Sequence, residues 1–283
     1  MPARSATEKS AVVNLAKSEL SDRWALVTGG LGGIGAGIAC ELATGGASIL
    51  MHDIGDLGRQ SSIEQLLLSR GAKQVEFSYF DLSAQEDSAS NWQILSEKYP
   101  VDVLVNCAGR QATSPLAEFP RKLWDEILAT NLSAAFDTMR VFMPRMRATE
   151  YGRIFNIASV HGLVASANKA AYVAAKHGLV GLTRVAALEY AAVGDALSGG
   201  VTVNAICPGW THTPMIEPQI QEFIDSRGGD RALGMQALLA AKQPSLRFTS
   251  PAEIGSMVRF MCGRQFHNWT GTVIPIDGGW TAQ

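Results

Sequence analysis

The chain has 283 residues, 47% of them hydrophobic and 18% charged, with 24 Lys and Arg against 26 Asp and Glu. A net charge of −2 provides no broad basic field for nucleic acid. No run of about 18 uncharged apolar residues occurs, so no membrane span is expected. Cys40, Cys107, Cys207 and Cys262 are spaced too widely for a compact zinc or redox motif. They read as reduced thiols in a cytoplasmic protein that holds no metal.

Residues 1–20 carry Arg4, Glu8, Lys9, Lys17 and Glu19 and lack the apolar stretch of a secretory leader, so they read as a polar extension. From residue 21 to 283 short apolar runs alternate with longer amphipathic ones. Strands are expected over 24–27, 48–51, 75–80, 101–105, 153–157, 201–206 and 272–276, each bounded by Gly, Asp, Asn or Pro. Helices are expected between them, among others over 35–44, 61–69, 124–147 and 170–193. This rhythm predicts an α/β fold, a single doubly wound domain with a mostly parallel sheet and helices on both faces. The helices over 124–146 and 170–193 are apolar on more than one side, which predicts a second subunit against them. The stretch 215–246 is helical, leaves the strand–helix rhythm after the sixth strand, and reads as a lid.

The first strand runs into Thr28-Gly29-Gly30-Leu31-Gly32-Gly33-Ile34-Gly35. Glycines between a strand and a helix let a pyrophosphate approach the backbone, and the helix start directs free N–H groups at it. Asp53 ends the second strand, eighteen residues beyond Gly35, where a carboxylate accepts from both ribose hydroxyls of NAD and repels the 2′-phosphate of NADP. Asp81-Leu82 follows the third strand and Asn106-Cys107-Ala108-Gly109 the fourth, at the ends where a sheet of this kind binds its ligand. Ser159 follows the fifth strand. Tyr172 stands thirteen residues later and Lys176 four beyond that, on one face of a helix. An ammonium beside a phenol favours the phenolate, so Lys176 is expected to draw Tyr172 down from its ordinary pKa.

Together, Thr28-Gly29-x-x-x-Gly33-x-Gly35, Asn106-x-Ala108-Gly109 and Ser159…Tyr172-x-x-x-Lys176 resemble the short-chain dehydrogenase/reductase family over residues 20–283. The resemblance implies a seven-stranded Rossmann-type sheet, a nicotinamide cofactor and a four-subunit assembly. It also implies that Asn131 joins Ser159, Tyr172 and Lys176 as a catalytic residue, holding a water that links Lys176 to solvent. For the cofactor it implies contacts from Gly29, Leu31, Gly33, Ile34, Asp53, Asp81, Leu82, Asn106, Ala108, Gly109, Tyr172, Lys176, Pro208 and Thr213. Cys107 departs from the asparagine usual there.

Longer strings are similar to one group in that family, the bacterial D-3-hydroxybutyrate dehydrogenases. They are 161–178, Cys207-Pro208-Gly209-Trp210, Lys242-Gln243-Pro244-Ser245-Leu246 and Asp277-Gly278-Gly279-Trp280-Thr281-Ala282. That similarity implies an NAD-dependent exchange of (R)-3-hydroxybutyrate and acetoacetate. Gln111, His161, Lys169 and Gln219 would hold the carboxylate, Ser159 and Tyr172 the hydroxyl, and Trp210 and Trp280 would close an apolar pocket. Arg110, where an apolar residue is usual, keeps open a larger hydroxy acid, a polyol or a sugar acid. A ketoacyl reductase is opposed by Asp53, and a fold retained for sensing alone is opposed by the intact Ser159, Tyr172 and Lys176.

Overall fold

The computed structural model describes residues 20–55 and 57–282, so the expected polar extension lies outside the described residues apart from Leu20. Among the described residues seven strands are present: β1 (Trp24–Thr28), β2 (Ser48–Asp53), β3 (Val75–Tyr79), β4 (Val101–Asn106), β5 (Tyr151–Ile157), β6 (Gly200–Pro208) and β7 (Val273–Ile276). They form one sheet in the order β3-β2-β1-β4-β5-β6-β7, with every pairing parallel.

The apolar runs are continuous because both faces of the sheet are covered. In β1, Ala25 and Val27 pack beneath α1 (Gly33–Thr44), α2 (Leu57–Arg70) and a C-terminal helix, α9 (Pro251–Met261). Leu26 between them points the other way, with Leu50, Leu104 and Ile154, onto α3 (Gln85–Lys98), α5 (Ala134–Ala148) and α6 (Ala170–Tyr190). This is the two-residue alternation of a strand, read out as two separate cores. Ser250 begins α9 with a reciprocal cap, its hydroxyl accepting from Glu253 N while the Glu253 carboxylate accepts from Ser250 N.

One expected helix is divided. The stretch 124–147 forms α4 (Arg121–Leu128), a π-helical turn (Ala129–Ser133) and α5. The widened turn carries Asn131, whose amide donates to the Arg110 carbonyl and accepts from the Arg110 N–H, both at 2.9 Å. The partner lies 21 residues away, so helical periodicity alone carried no sign of the break.

The segment after β6 forms α7 (Glu217–Asp225) and α8 (Arg231–Ala240), which meet through Ile220, Ile224 and Leu238. Gly234 belongs to that contact. A Cβ there would stand 2.7 Å from Ile224 Cα, so this glycine serves close packing. The sheet order reverses between β1 and β4, and the crevice beyond their carboxyl ends is where such a sheet takes a ligand.

Candidate active site

Thr28 ends β1, and its Oγ1 accepts the backbone N–H groups of Cys107 and Ala108, both at 3.0 Å. This pins the loop after β4 against the Gly-rich turn. Gly29 has φ +64°, and a Cβ there would lie 2.8 Å from Ala108 Cα; one on Gly33 would lie 2.6 Å from Thr213 Cγ2. Only glycine leaves that floor open. No side chain caps the start of α1, so the first-turn N–H groups of Gly33 and Ile34 are left for an anion. Asp53 stands beside this turn, its Oδ2 accepting from Leu31 N at 2.9 Å and its Oδ1 from Ile54 N at 2.8 Å. Each oxygen keeps a lone pair that could take a ribose hydroxyl. An open glycine floor, an uncapped helix start and an acceptor at the β2 end fit a dinucleotide.

The other expected cofactor residues gather nearby. Thr28, Leu82, Asn106, Ala108 and Asn131 surround a smaller cavity of about 240 Å³. Asp81 shapes the turn after β3, accepting from the N–H and hydroxyl of Ser83 at 2.8 Å, and these bonds hold its carboxyl below its ordinary pKa. The Asn106 amide is engaged inward, donating to Asn156 Oδ1 at 2.8 Å and accepting from Thr138 Oγ1 at 2.7 Å.

Beyond the ends of β5 and β6 lies a cleft of about 520 Å³. Gln111, Ser159, His161, Lys169, Tyr172, Trp210 and Trp280 all line it, together with Ile34, Pro208 and Thr213. Residues from Ile34 to Trp280 thus meet in one space. Gln219, on α7, is not among the lining residues, and its Oε1 is buried without a partner. Arg110 is exposed and turned aside, its guanidinium paired with Glu126 at 2.8 Å. It brings no second cation to the cleft.

Inside the cleft Ser159 Oγ accepts from His161 N at 3.1 Å, and Tyr172 lines the same wall. Burial pushes the Tyr172 phenol up to about 12, against the pull of Ser159. The expected lowering by Lys176 is not found, because that ammonium donates to the Ile157 carbonyl at 2.7 Å and sits 5.7 Å from the phenol ring centroid. Burial dominates both groups, and it brings Lys176 down to about 8. His161 is buried between Tyr172 and Trp280, edge to face with each, and its Nδ1 has no partner. Burial, then the charge of Lys169, lowers it to about 4, so the ring is neutral near pH 7. Lys169 is only 8% exposed and lies 5.5 Å above the Trp210 ring. Burial alone lowers its pKa, and no carboxylate pairs with it among the described residues.

Two contributors carried no readable role in the sequence. Gln243 is buried, accepts from Trp210 N at 2.8 Å, and donates to the Arg247 carbonyl. Asp277 accepts from Gly279 N, Thr281 N and Thr281 Oγ1, fixing the turn that presents Trp280. Gln243 lies 33 residues from Trp210, beyond any local pattern.

The sequence profile described as short chain dehydrogenase matches residues 23–222. The chain belongs to the short-chain dehydrogenase family. Among curated short-chain dehydrogenases, the D-beta-hydroxybutyrate dehydrogenase of Cupriavidus necator is 39% identical over 267 residues, covering 93% of this chain and 100% of that one. The enzyme of the same name from Rhizobium meliloti is 38% identical over 260 residues, 92% of this chain and 98% of its own. Among solved structures, one from Beutenbergia cavernae described as an NAD(P)-dependent gluconate 5-dehydrogenase, with NADP at low occupancy, aligns with TM-score 0.81 and 34% identity. That alignment covers 95% of this chain and 100% of that one. Nicotinamide-dependent oxidoreduction is the chemistry of this family. Among the described residues no helix is long and apolar enough to cross a membrane, and no cluster of His, Cys, Asp and Glu could hold a metal ion.

Proposed function

We propose that the protein is an NAD-dependent dehydrogenase that interconverts (R)-3-hydroxybutyrate and acetoacetate. One observation carries the reading: Lys169 is a buried ammonium that lines the cleft without a carboxylate partner. An uncompensated buried cation is costly, and an anionic substrate relieves that cost. A carboxylate at Lys169 has the donors of His161 and Gln111 on the same cleft wall. Its short carbon chain then faces Trp210, Trp280 and Ile216, which suit a methyl end better than the hydroxyl-rich chain of a sugar acid.

Ser159 Oγ would hold the substrate oxygen while Tyr172, a neutral phenol near pH 7, takes the hydroxyl proton as it releases its own toward Lys176; a bound nicotinamide would supply the hydride acceptor. Lys176 and Asn131 carry the proton onward through water. Gly29, Leu31, Gly33 and Ile34 would hold the pyrophosphate. Asp53 would receive the adenosine ribose hydroxyls, and Asp81, Leu82, Asn106, Ala108, Gly109, Pro208 and Thr213 would hold the rest of the cofactor. Asp53 is the ground for NAD over NADP, since a fixed carboxylate repels a 2′-phosphate. The enzyme works in the cytoplasm as a homotetramer.

A sugar acid is the second reading, favoured by the 34% identity to the gluconate-type structure. The exposed pairing of Arg110 with Glu126 removes the feature that most suggested it from the sequence. The test is the absorbance of reduced nicotinamide with each hydroxybutyrate enantiomer and gluconate, each with NAD and with NADP. Turnover confined to the (R)-acid with NAD supports the proposal. Turnover of gluconate but not hydroxybutyrate replaces it.

A further inference from the structure

Two hydrogen bonds join β5 to α6, from Asn156 to Thr183 and from Lys176 to the Ile157 carbonyl, and just beyond the end of β5 Ser159 lines the cleft together with Tyr172; these pairings run in opposite senses along the chain. The helix therefore runs back against the strand, and its axial position decides how far Tyr172 reaches toward Ser159. On α6, Tyr172, Lys176 and Thr183 share one stripe, because the offsets of four and seven residues are close to whole turns.

The rest of that interface is smooth. Of the nine buried residues of α6 four are alanine, and Leu179 and Val180 are the larger aliphatic ones. Small apolar side chains are attracted without direction and resist sliding weakly. The Asn156–Thr183 pair is directional. Thr183 Oγ1 accepts from Asn156 Nδ2 at 2.9 Å and donates its proton to the Leu179 carbonyl at 2.7 Å. Asn156 Oδ1 accepts from Asn106 Nδ2 at 2.8 Å, and Asn106 Oδ1 from Thr138 Oγ1 at 2.7 Å. The donors point one way along this chain, from α5 through β4 and β5 to α6. Asn156 and Thr183 are fully buried, so no water replaces a lost member.

We propose that Thr183 and Asn156 are positioning residues for the reaction: their buried hydrogen bond sets the axial register of α6 on β5, and with it the meeting of Tyr172 and Ser159. Neither residue lines the cleft. The inference rests on the reading of Ser159 and Tyr172 as the groups that handle the substrate hydroxyl.

The experiment compares Thr183→Val, which keeps the side-chain shape, with Thr183→Ser, which keeps the hydroxyl. Thr183→Ala stands in if the valine variant does not fold. The first readout needs no substrate: the NMR signal of isotope-labelled tyrosine Cζ at neutral pH, with Tyr172 assigned by its loss in Tyr172→Phe. Its displacement in Ser159→Ala calibrates the loss of the Ser159 hydroxyl. Thr183→Val is expected to reproduce at least half that displacement and Thr183→Ser almost none. The second readout is turnover with NAD and (R)-3-hydroxybutyrate. Thr183→Val is expected to lower kcat about tenfold or more with KM within about threefold, the pattern of misplaced rather than lost groups. Thr183→Ser is expected to restore it. A Tyr172 signal unmoved by Thr183→Val, or moved equally by Thr183→Ser, overturns the proposal. If the unaltered enzyme leaves hydroxybutyrate untouched, the substrate reading falls, and the tyrosine signal still decides the register.

Discussion

The ammonium of Lys169 lies 5.5 Å above the ring of Trp210, a cation held on an indole face with no carboxylate among the described residues to neutralise it. The ring offsets part of the cost of burial and leaves the charge available to an incoming anion. Lys169→Met retains the stem packing and removes the charge. Losing a charge-assisted hydrogen bond of about 2–3 kcal/mol raises KM for the hydroxy acid some 30- to 100-fold. Steady-state kinetics with NAD saturating checks this, and an unchanged KM would remove Lys169 from the carboxylate site.

Tyr172 is the proposed proton acceptor and has only its hydroxyl to lose. Tyr172→Phe is expected to lower kcat by about three orders of magnitude, the loss of a positioned acid–base group. NAD binding, followed by isothermal titration, stays within about threefold because the phosphate and ribose contacts lie elsewhere. Activity close to that of the unaltered protein would exclude the assigned role.

Asp53 has two tasks in this proposal: its Oδ2 holds Leu31 N, and its carboxylate would take the ribose hydroxyls. Asp53→Ala is expected to weaken NAD about tenfold and to improve NADP by a similar factor. The ratio of kcat/KM for the two cofactors reports it directly. A ratio that does not move toward NADP would count against the assignment of NAD.

Arg110 pairs with Glu126 at 2.8 Å on the exposed side of its loop. Surface pairs of this kind contribute about 0–1 kcal/mol, so Arg110→Ala is expected to change KM by less than about threefold and to leave the preferred acid unchanged. A large gain in KM for a dicarboxylate or sugar acid would restore the second reading.

His52 and His161 are both lowered by burial to about 4 from an ordinary 6.5. The unfolded chain then binds protons that the folded one refuses. Stability is full above pH 6.5 and is lost as pH falls through the window down to about 4. Each depression corresponds to about 3 kcal/mol at the lower end. Melting scans between about pH 7 and pH 5 are expected to show a falling Tm, with a shallower fall in His52→Leu. A Tm that stays level over this range would mean that one or both rings keep their proton in the folded protein.

The sheet and its crevice were legible in the sequence because strands buried on both faces write themselves as short apolar runs. All seven strands fall where those runs are, with β5 starting two residues early at Tyr151 and β6 running on to Pro208. The glycine turn, Asp53, Ser159, Tyr172 and Lys176 were legible for a related reason. Their spacing is local, within one strand–turn–helix or one helical face.

What the sequence determined alone is therefore the alternation of elements, the covering of both sheet faces and the chemistry available at each strand end. Only the tertiary structure decided where those groups point. It turned Arg110 outward to Glu126, gave Lys176 to the Ile157 carbonyl, left Gln219 off the cleft wall, and inserted a π-turn that hands Asn131 to Arg110. Each of these depends on burial or on a partner distant along the chain, and both are properties of packing, absent from any local window of residues.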